Sequence, residues 1–298
     1  MNDYIKNNIK IILNLLFCLE IFMIHFLSKE GIIICTIAKQ ENKYIKEFIE
    51  HYRKLKITKI IIYDNNDING ENFEEILKSD INNNFIKVIN YRGLHQPQFI
   101  ALNKCYKEYK NIYEWIAFFD IDEFLYIKNY TNIIEFLSLS KFNKCQSIII
   151  NWKYYGDNNQ LYYEPKPLRE RFIKEYNVEK IKKNNYYYSA AKSIIRGGLN
   201  LKWGVFPHFT YNTINCRADG SIINNYFSPP QYSNAYINHY ITKSTEEFIE
   251  KLKRGDVMII PDQNYIKERI NNYYFLFNQI TKEKINLFKK SKLIKYNS

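Results

Sequence analysis

Gly31-Ile-Ile-Ile-Cys-Thr-Ile-Ala38 is a nearly unbroken apolar run rich in β-branched side chains. A run without polar alternation reads as a strand covered on both faces. Just after it, Tyr44, Ile45, Phe48, Ile49, Tyr52 and Leu55 recur at helical spacing with charges between them, which predicts an amphipathic helix over 41–55. Lys59-Ile-Ile-Ile-Tyr63 repeats the buried-strand pattern and stops in the turn-rich Asp64-Asn-Asn-Asp-Ile-Asn-Gly70. The alternation continues with a short helix at 73–77, a strand at 85–90, and a helix over 96–109. Trp115-Ile-Ala-Phe-Phe119 is a fourth strand, entering Asp120-Ile-Asp-Glu-Phe124. A helix near 131–139 and a strand at 147–152 follow. This order predicts an α/β fold, a Rossmann-like and mostly parallel sheet with helices on both faces. Past 153 the pattern loosens into Tyr- and Asn-rich segments of an irregular α+β part, then helices at 245–254 and 264–280. The expected division is 1–30, an apolar helix; 31–260, the catalytic domain, with halves 31–152 and 153–260; and 261–298, a helix and basic tail.

The chain has 298 residues, 46% hydrophobic and 25% charged, which excludes disorder as a description of the whole. Lys and Arg number 43 against 31 Asp and Glu, a net charge of +12, which suits nucleic acid, an anionic membrane or a phosphate-bearing substrate. Cysteines 18, 35, 105, 145 and 216 are odd in number, widely spaced and never C-x-x-C. That pattern predicts reduced thiols in a cytosol-facing compartment rather than a disulfide framework or zinc knuckle. Residues 11–27 are apolar except for Asn14, Glu20 and His25, and the apolar gain and polar penalties of membrane insertion nearly cancel. The expectation is a cytoplasmic enzyme whose N-terminal helix lies against the membrane, with a single-pass anchor or a helix packed on the core as alternatives.

In open α/β sheets, ligands bind beyond the carboxyl ends of the strands. The polar clusters Lys39 to Glu41, Asp64-Asn65, Tyr91-Arg92 and Asp120 to Glu123 all fall there. Asp120-x-Asp122 is the sharpest signal. Two carboxylates at that spacing can share Mn²⁺ or Mg²⁺, and such a cation can bridge a diphosphate. Asp64 and Asn65 suit a nucleobase edge or ribose, or else an Asx-turn. Lys39, Arg92 and Arg196 suit phosphate. His208 and His239 have no ligand-spaced companion in the sequence. An acceptor hydroxyl's proton needs a base, for which Asp157 is the first candidate, with Asp219, Glu164 and Glu123 as alternatives.

Five blocks resemble glycosyltransferase family 92 and the related family 2-like transferases. They are Cys35-Thr-Ile-Ala-Lys-Gln-Glu-Asn42 with Tyr44 to His51; Ile61-Ile-Tyr-Asp-Asn65; Gln98 with Ala101 and Cys105; Trp115 with Asp120 to Phe124 and Lys192-Ser-Ile-Ile195; and His239-Tyr-Ile-Thr-Lys-Ser-Thr-Glu-Glu-Phe248 with Lys251 to Gly255. The resemblance implies a GT-A fold and transfer of a hexose, such as galactose, from a uridine diphosphate donor to a glycan or lipid-linked acceptor. By it, Ala38, Lys39, Glu41, Asp64, Asn65, Arg92 and Gln98 belong to the nucleotide-sugar pocket. Asp120 and Asp122 are metal-side acids, His239 or His208 adds a metal or diphosphate contact, and Lys243 and Ser244 close over the diphosphate. Two departures stand out: Gln40 replaces the Asn usual before Glu41, and Gly156-Asp-Asn-Asn159 replaces a segment of small residues.

A nucleotidyltransferase would need a Gly-rich loop after the first strand, and Ala38 to Asn42 has none. A nucleic-acid-binding protein would concentrate its basic residues on one element, whereas here Lys alternates with Glu along 41–54 and 246–254. No nucleic-acid partner is expected. The denser basic run from Lys282 to Lys295 suggests an anionic membrane surface.

Overall fold

The computed structural model describes residues 29, 31–255 and 262–293. The Ile-rich run forms β1 (Ile32–Ala38), buried throughout. Its pleat divides it: Ile32 and Ile34 enter one hydrophobic core, and Ile33, Cys35 and Ile37 enter another on the opposite face. β2 (Lys59–Asp64) divides the same way, Ile60 and Ile62 against Ile61 and Tyr63. Each face then requires a helical cover. α1 (Ile45–Lys54) brings Phe48, Ile49 and Tyr52 to the first core, and α2 (Gln98–Tyr109) brings Ala101, Leu102 and Cys105 to the second. With β3 (Ile86–Asn90) and β4 (Trp115–Ala117), the order β3-β2-β1-β4 is parallel throughout.

Past β4 the sheet becomes mixed. The neighbour of β4 is β7 (Ala191–Arg196), running antiparallel, and β6 (Ser147–Tyr154) lies beyond it, also antiparallel to β7. β10 (Ala235–His239) adds in parallel to β6, and β5 (Glu123–Ile127) closes that edge antiparallel to β10. β8 (Asn215–Arg217) and β9 (Ile222–Ile223) branch off β6. The α/β class and the parallel first half are as the periodicity predicts. An antiparallel return needs no crossover helix, so residues 155–190 carry only short helical turns and little periodic signal. α3 (Thr245–Arg254) matches its expected span. The helix expected over 264–280 is instead α4 (Gln263–Glu268), a π-helical stretch Arg269–Tyr274 and a last turn Phe275–Phe277, followed by α5 (Lys282–Lys290).

Two expectations are corrected. Cys35 is disulfide-bonded to Cys105, tying β1 to α2, and Cys145 to Cys216, tying the start of β6 to β8. The partners lie 70 and 71 residues apart, and only the assembled sheet brings them together. Disulfides persist in oxidising surroundings, so the reduced-thiol, cytoplasmic reading is withdrawn. Among the described residues no helix is long and apolar enough to cross a membrane. The 11–27 run, Cys18 and the end of the basic tail lie outside the described residues.

Candidate active site

A cavity of about 340 Å³ opens at the carboxyl ends of β1, β4 and β6, walled on one side by α3. Of the residues expected from sequence, Ala38, Lys39, Glu41, Gln98, Asp120 and Asp122 line it, as do His208 and His239. The sheet register explains the central meeting. β5 leaves the Asp120-Asp122 turn and pairs antiparallel with β10, setting His239 opposite Glu123, and Tyr240 N–H donates to the Asp122 carbonyl at 3.0 Å. His239 Nε2 thereby lies 3.5 Å from Asp122 Oδ1.

The other Asp122 oxygen, Oδ2, is 3.2 Å from both Lys243 Nζ and Lys251 Nζ. Burial would raise the Asp122 carboxyl, but Lys251 and Lys243, with His239, outweigh it and hold it well below the usual carboxylate range. Burial pushes the His239 imidazole down despite Asp122, so it is neutral. An ionised carboxylate oxygen and a neutral imidazole nitrogen at this separation fit adjacent positions on one divalent cation. Among the described residues no cluster of three or more His, Cys, Asp and Glu side chains is arranged to hold a metal. Among the described residues, Asp122 and His239 are the side chains whose chemistry and separation fit such a cation.

The two acids of the D-x-D are not equivalent. The Asp120 side chain is 40% exposed and its Oδ2 pairs with the buried Lys192 Nζ at 2.7 Å. Lys192 Nζ also lies 3.6 Å from Glu123, whose carboxyl is held well above its ordinary value by burial. Glu123 is wholly buried and stands behind the cavity, which removes it as a base.

On the opposite wall, Arg254 pairs with Glu41 at 2.7 Å and donates to the carbonyls of Lys39 and Gln40, fastening the β1–α1 loop to α3. Glu41 Oε2 is buried with no hydrogen-bond partner, an acceptor within a cavity wall. Gln40 sits at φ +52°, in the left-handed region that Asn tolerates better than Gln, which rationalises the Asn of the resembling families. Sequence reasoning did not assign Lys251 or Arg254 a role. Their signal is the i, i+3 spacing on α3, which puts both cations on one helix face.

Several expected site residues are occupied elsewhere. Asp64 Oδ1 accepts from Asn66 N–H in an Asx-turn, and Arg92 lies 3.4 Å from its other oxygen. Asn65 donates to the carbonyls of Tyr91 and Leu94. Arg92 donates to the carbonyls of Asp67, Ile68, Gly70 and Glu71, so it organises the loop after β2 rather than facing the cavity. Ser244 is the N-cap of α3, in a capping box with Glu247, and is fully buried. Lys243 is spent on Asp122. Asp157 is sealed away from the cavity: Lys284 Nζ is 2.7 Å from its Oδ2, Tyr274 O–H donates to the same oxygen, and Asn278 Oδ1 accepts from its backbone N–H. A Cβ on Gly156 would meet Asn278 Oδ1 and the Phe277 carbonyl at 2.6 Å, so this turn admits only glycine as packed. Asp157 as catalytic base is therefore corrected. Asp219 is held by Ser221 on a surface turn, and Glu164 pairs with Lys166 at the surface.

His208 is different. Its Nδ1 lies 2.8 Å from the Ala191 carbonyl, so Nδ1 carries the proton and Nε2 keeps a lone pair. Burial, then Lys192, pushes it down to about 4. The two histidines flank Trp152, with ring centroids 5.4 Å (His208) and 4.4 Å (His239) from the indole.

The family model for glycosyltransferase family 92 matches residues 31–274, which include every residue that lines the cavity. The chain belongs to glycosyltransferase family 92. Family 92 proteins of Ricinus communis and Oryza sativa subsp. japonica are 23% identical over 100 residues and 26% identical over 93. Those stretches cover 34% and 31% of this family 92 chain but only 18% and 16% of the relatives' own length. Among solved structures, S. aureus TarS 1–349 with UDP covers 88% of the chain and 78% of its own, at 13% identity and a TM-score of 0.40. A Pyrobaculum calidifontis mannosyltransferase with GDP-Man and Mn²⁺ covers 42% and 36%, at 9% identity and a TM-score of 0.32.

Proposed function

We propose that the chain transfers a hexosyl group from a nucleoside diphosphate sugar, with uridine as the base, to a hydroxyl of a glycan or lipid-linked acceptor. The observation that carries this reading is the meeting of Asp122, His239 and Lys251 in one cavity at the strand ends. It joins two hard-cation donors to a cationic wall suited to a diphosphate. Mn²⁺ or Mg²⁺ would be held by Asp122 and His239, and when bound it supplies charge neutralisation for the departing diphosphate. Glu41 Oε2 can accept from the nucleoside and Lys251 can attract its phosphates, whereas Lys39, which also lines the cavity, pairs with Asp67 at 2.9 Å. For an inverting transfer, His208 replaces Asp157 as the group that takes the acceptor's proton, because its Nε2 lone pair is fixed by the Nδ1–H bond. Of the two histidines, only His239 then remains on the metal side.

Thermal-shift and turnover measurements on purified protein with Mn²⁺ and a panel of UDP- and GDP-sugars test the reading. A UDP-sugar should raise Tm only with Mn²⁺ present and should be slowly hydrolysed. No shift and no turnover with any donor would end it.

A further inference from the structure

Aromatic rings form a connected path from the cavity to the surface. Tyr186 lines the cavity 6.0 Å from His208 and stacks on Tyr226 at 5.3 Å. Tyr226 contacts Phe209 at 6.4 Å and the exposed Phe227 at 5.4 Å. Phe209 meets Tyr211 at 5.6 Å, Tyr211 meets Phe206 at 5.4 Å, and Phe206 meets Phe99 at 5.9 Å. Phe209 is buried and anchors the row, whereas Tyr211 is 53% and Phe99 47% exposed. Rings this exposed are costly to leave in water and mark a binding surface when contiguous.

Charge is missing from this region in a chain that is one-quarter charged. Trp203 to Cys216 contains no Asp, Glu, Lys or Arg, and neither does Ser221 to Asn238. Between them they are instead rich in Tyr, Phe and Asn, with Thr in the first and Ser in the second. Such a mixture supplies rigid amphipathic faces beside adaptable hydrogen-bonding groups. An anionic lipid headgroup or nucleic acid would call for clustered basic residues here. A neutral pyranose chain matches it: its C–H faces stack on rings, its hydroxyls pair with amides and hydroxyls, and its repeat is comparable to the ring spacing.

We propose that the row Tyr186, Tyr226, Tyr211, Phe206 and Phe99 is the binding track for a neutral saccharide acceptor, delivering its end to His208. This rests on the glycosyltransferase reading and narrows its acceptor to a glycan chain. The test is affinity electrophoresis of the full chain through gels containing galactan, mannan, xylan or dextran, beside the Mn²⁺-dependent Tm shift with UDP. At least one polysaccharide should retard the protein. The Phe206→Ala/Tyr211→Ala double variant should weaken that retardation at least tenfold and leave the UDP shift unchanged. Retardation equal in wild type and variant, or by no polysaccharide while the UDP shift persists, would overturn the track and spare the enzyme reading. Loss of the UDP shift in wild type would instead defeat the enzyme reading. Binding to phosphatidylcholine vesicles, or a dimer, abolished by the same variant would give the surface to lipid or to a second copy and overturn the proposal.

Discussion

Two buried aspartates in this molecule are caged by lysine, and they do opposite work. Asp122 faces Lys243, Lys251 and His239 at the wall of an open cavity, with Lys251 still 24% exposed. Asp157 faces Lys284 and Tyr274 in a sealed contact between the turn after β6 and the C-terminal helices. The first cluster has open space beside its charges and more cations than anions, so it is poised to take up a further anion. The second is satisfied on every side, and its charges lock one segment to another. Chemistry alone does not distinguish a site from a clasp; access to a ligand does.

The largest expected effect breaks the clasp. Asp157→Asn leaves the Lys284 amine buried without its counter-charge, at a cost of about 3–5 kcal/mol. Calorimetry should show a fall in Tm of about 10 °C, with kcat of the folded fraction unchanged. A normal Tm with lost kcat would restore Asp157 to the reaction. Asp122→Asn should do the reverse: kcat down about 10²–10³-fold and the Mn²⁺-dependent donor shift gone, with a Tm fall that comes from the buried Lys243 and not from Lys251, which water reaches. Unchanged donor binding in this variant would refute the metal assignment.

A pH comparison sharpens the cavity side. Unfolded His208 takes a proton near pH ~6.5, whereas in the folded protein it does so only at about 4. The unfolded chain therefore binds more protons between those values, and His208 costs the wild type stability as pH falls through that window. His208→Gln should lose less Tm than wild type from pH 7 to 4.5, and parallel curves would contradict the buried neutral imidazole. Asp122, whose carboxyl is depressed, loses its contribution only at lower pH. The smallest effect is the control. Lys43 and Glu250 pair at 2.8 Å at the surface, and Lys43→Ala should cost less than about 1 kcal/mol in urea unfolding.

Much of the parallel first half was legible because its information is local. The Ile runs of β1 and β2 state burial on both faces without reference to anything distant, and the D-x-D follows an apolar strand that must end at the sheet edge. Asp64, Asn65 and Arg92 were ambiguous in the sequence because Asx-turns and loop clamps use the same side chains that suit nucleotides. The antiparallel second half was largely illegible, since β8 and β9 are short and the partners of β7 and β10 lie far along the chain. Lys251 reaches Asp122 across 129 residues, and no pattern around either residue announces the other.

By itself the sequence determined the α/β class, the parallel pairing of the first half and the position of Asp120 and Asp122, because backbone periodicity and side-chain burial are properties of neighbouring residues. Tertiary structure alone decided that Asp157 is sealed away from the cavity, that Lys251 meets Asp122, and that four cysteines are paired. Those outcomes depend on strand register and on contacts between segments far apart in sequence. Such contacts exist only once the sheet has assembled.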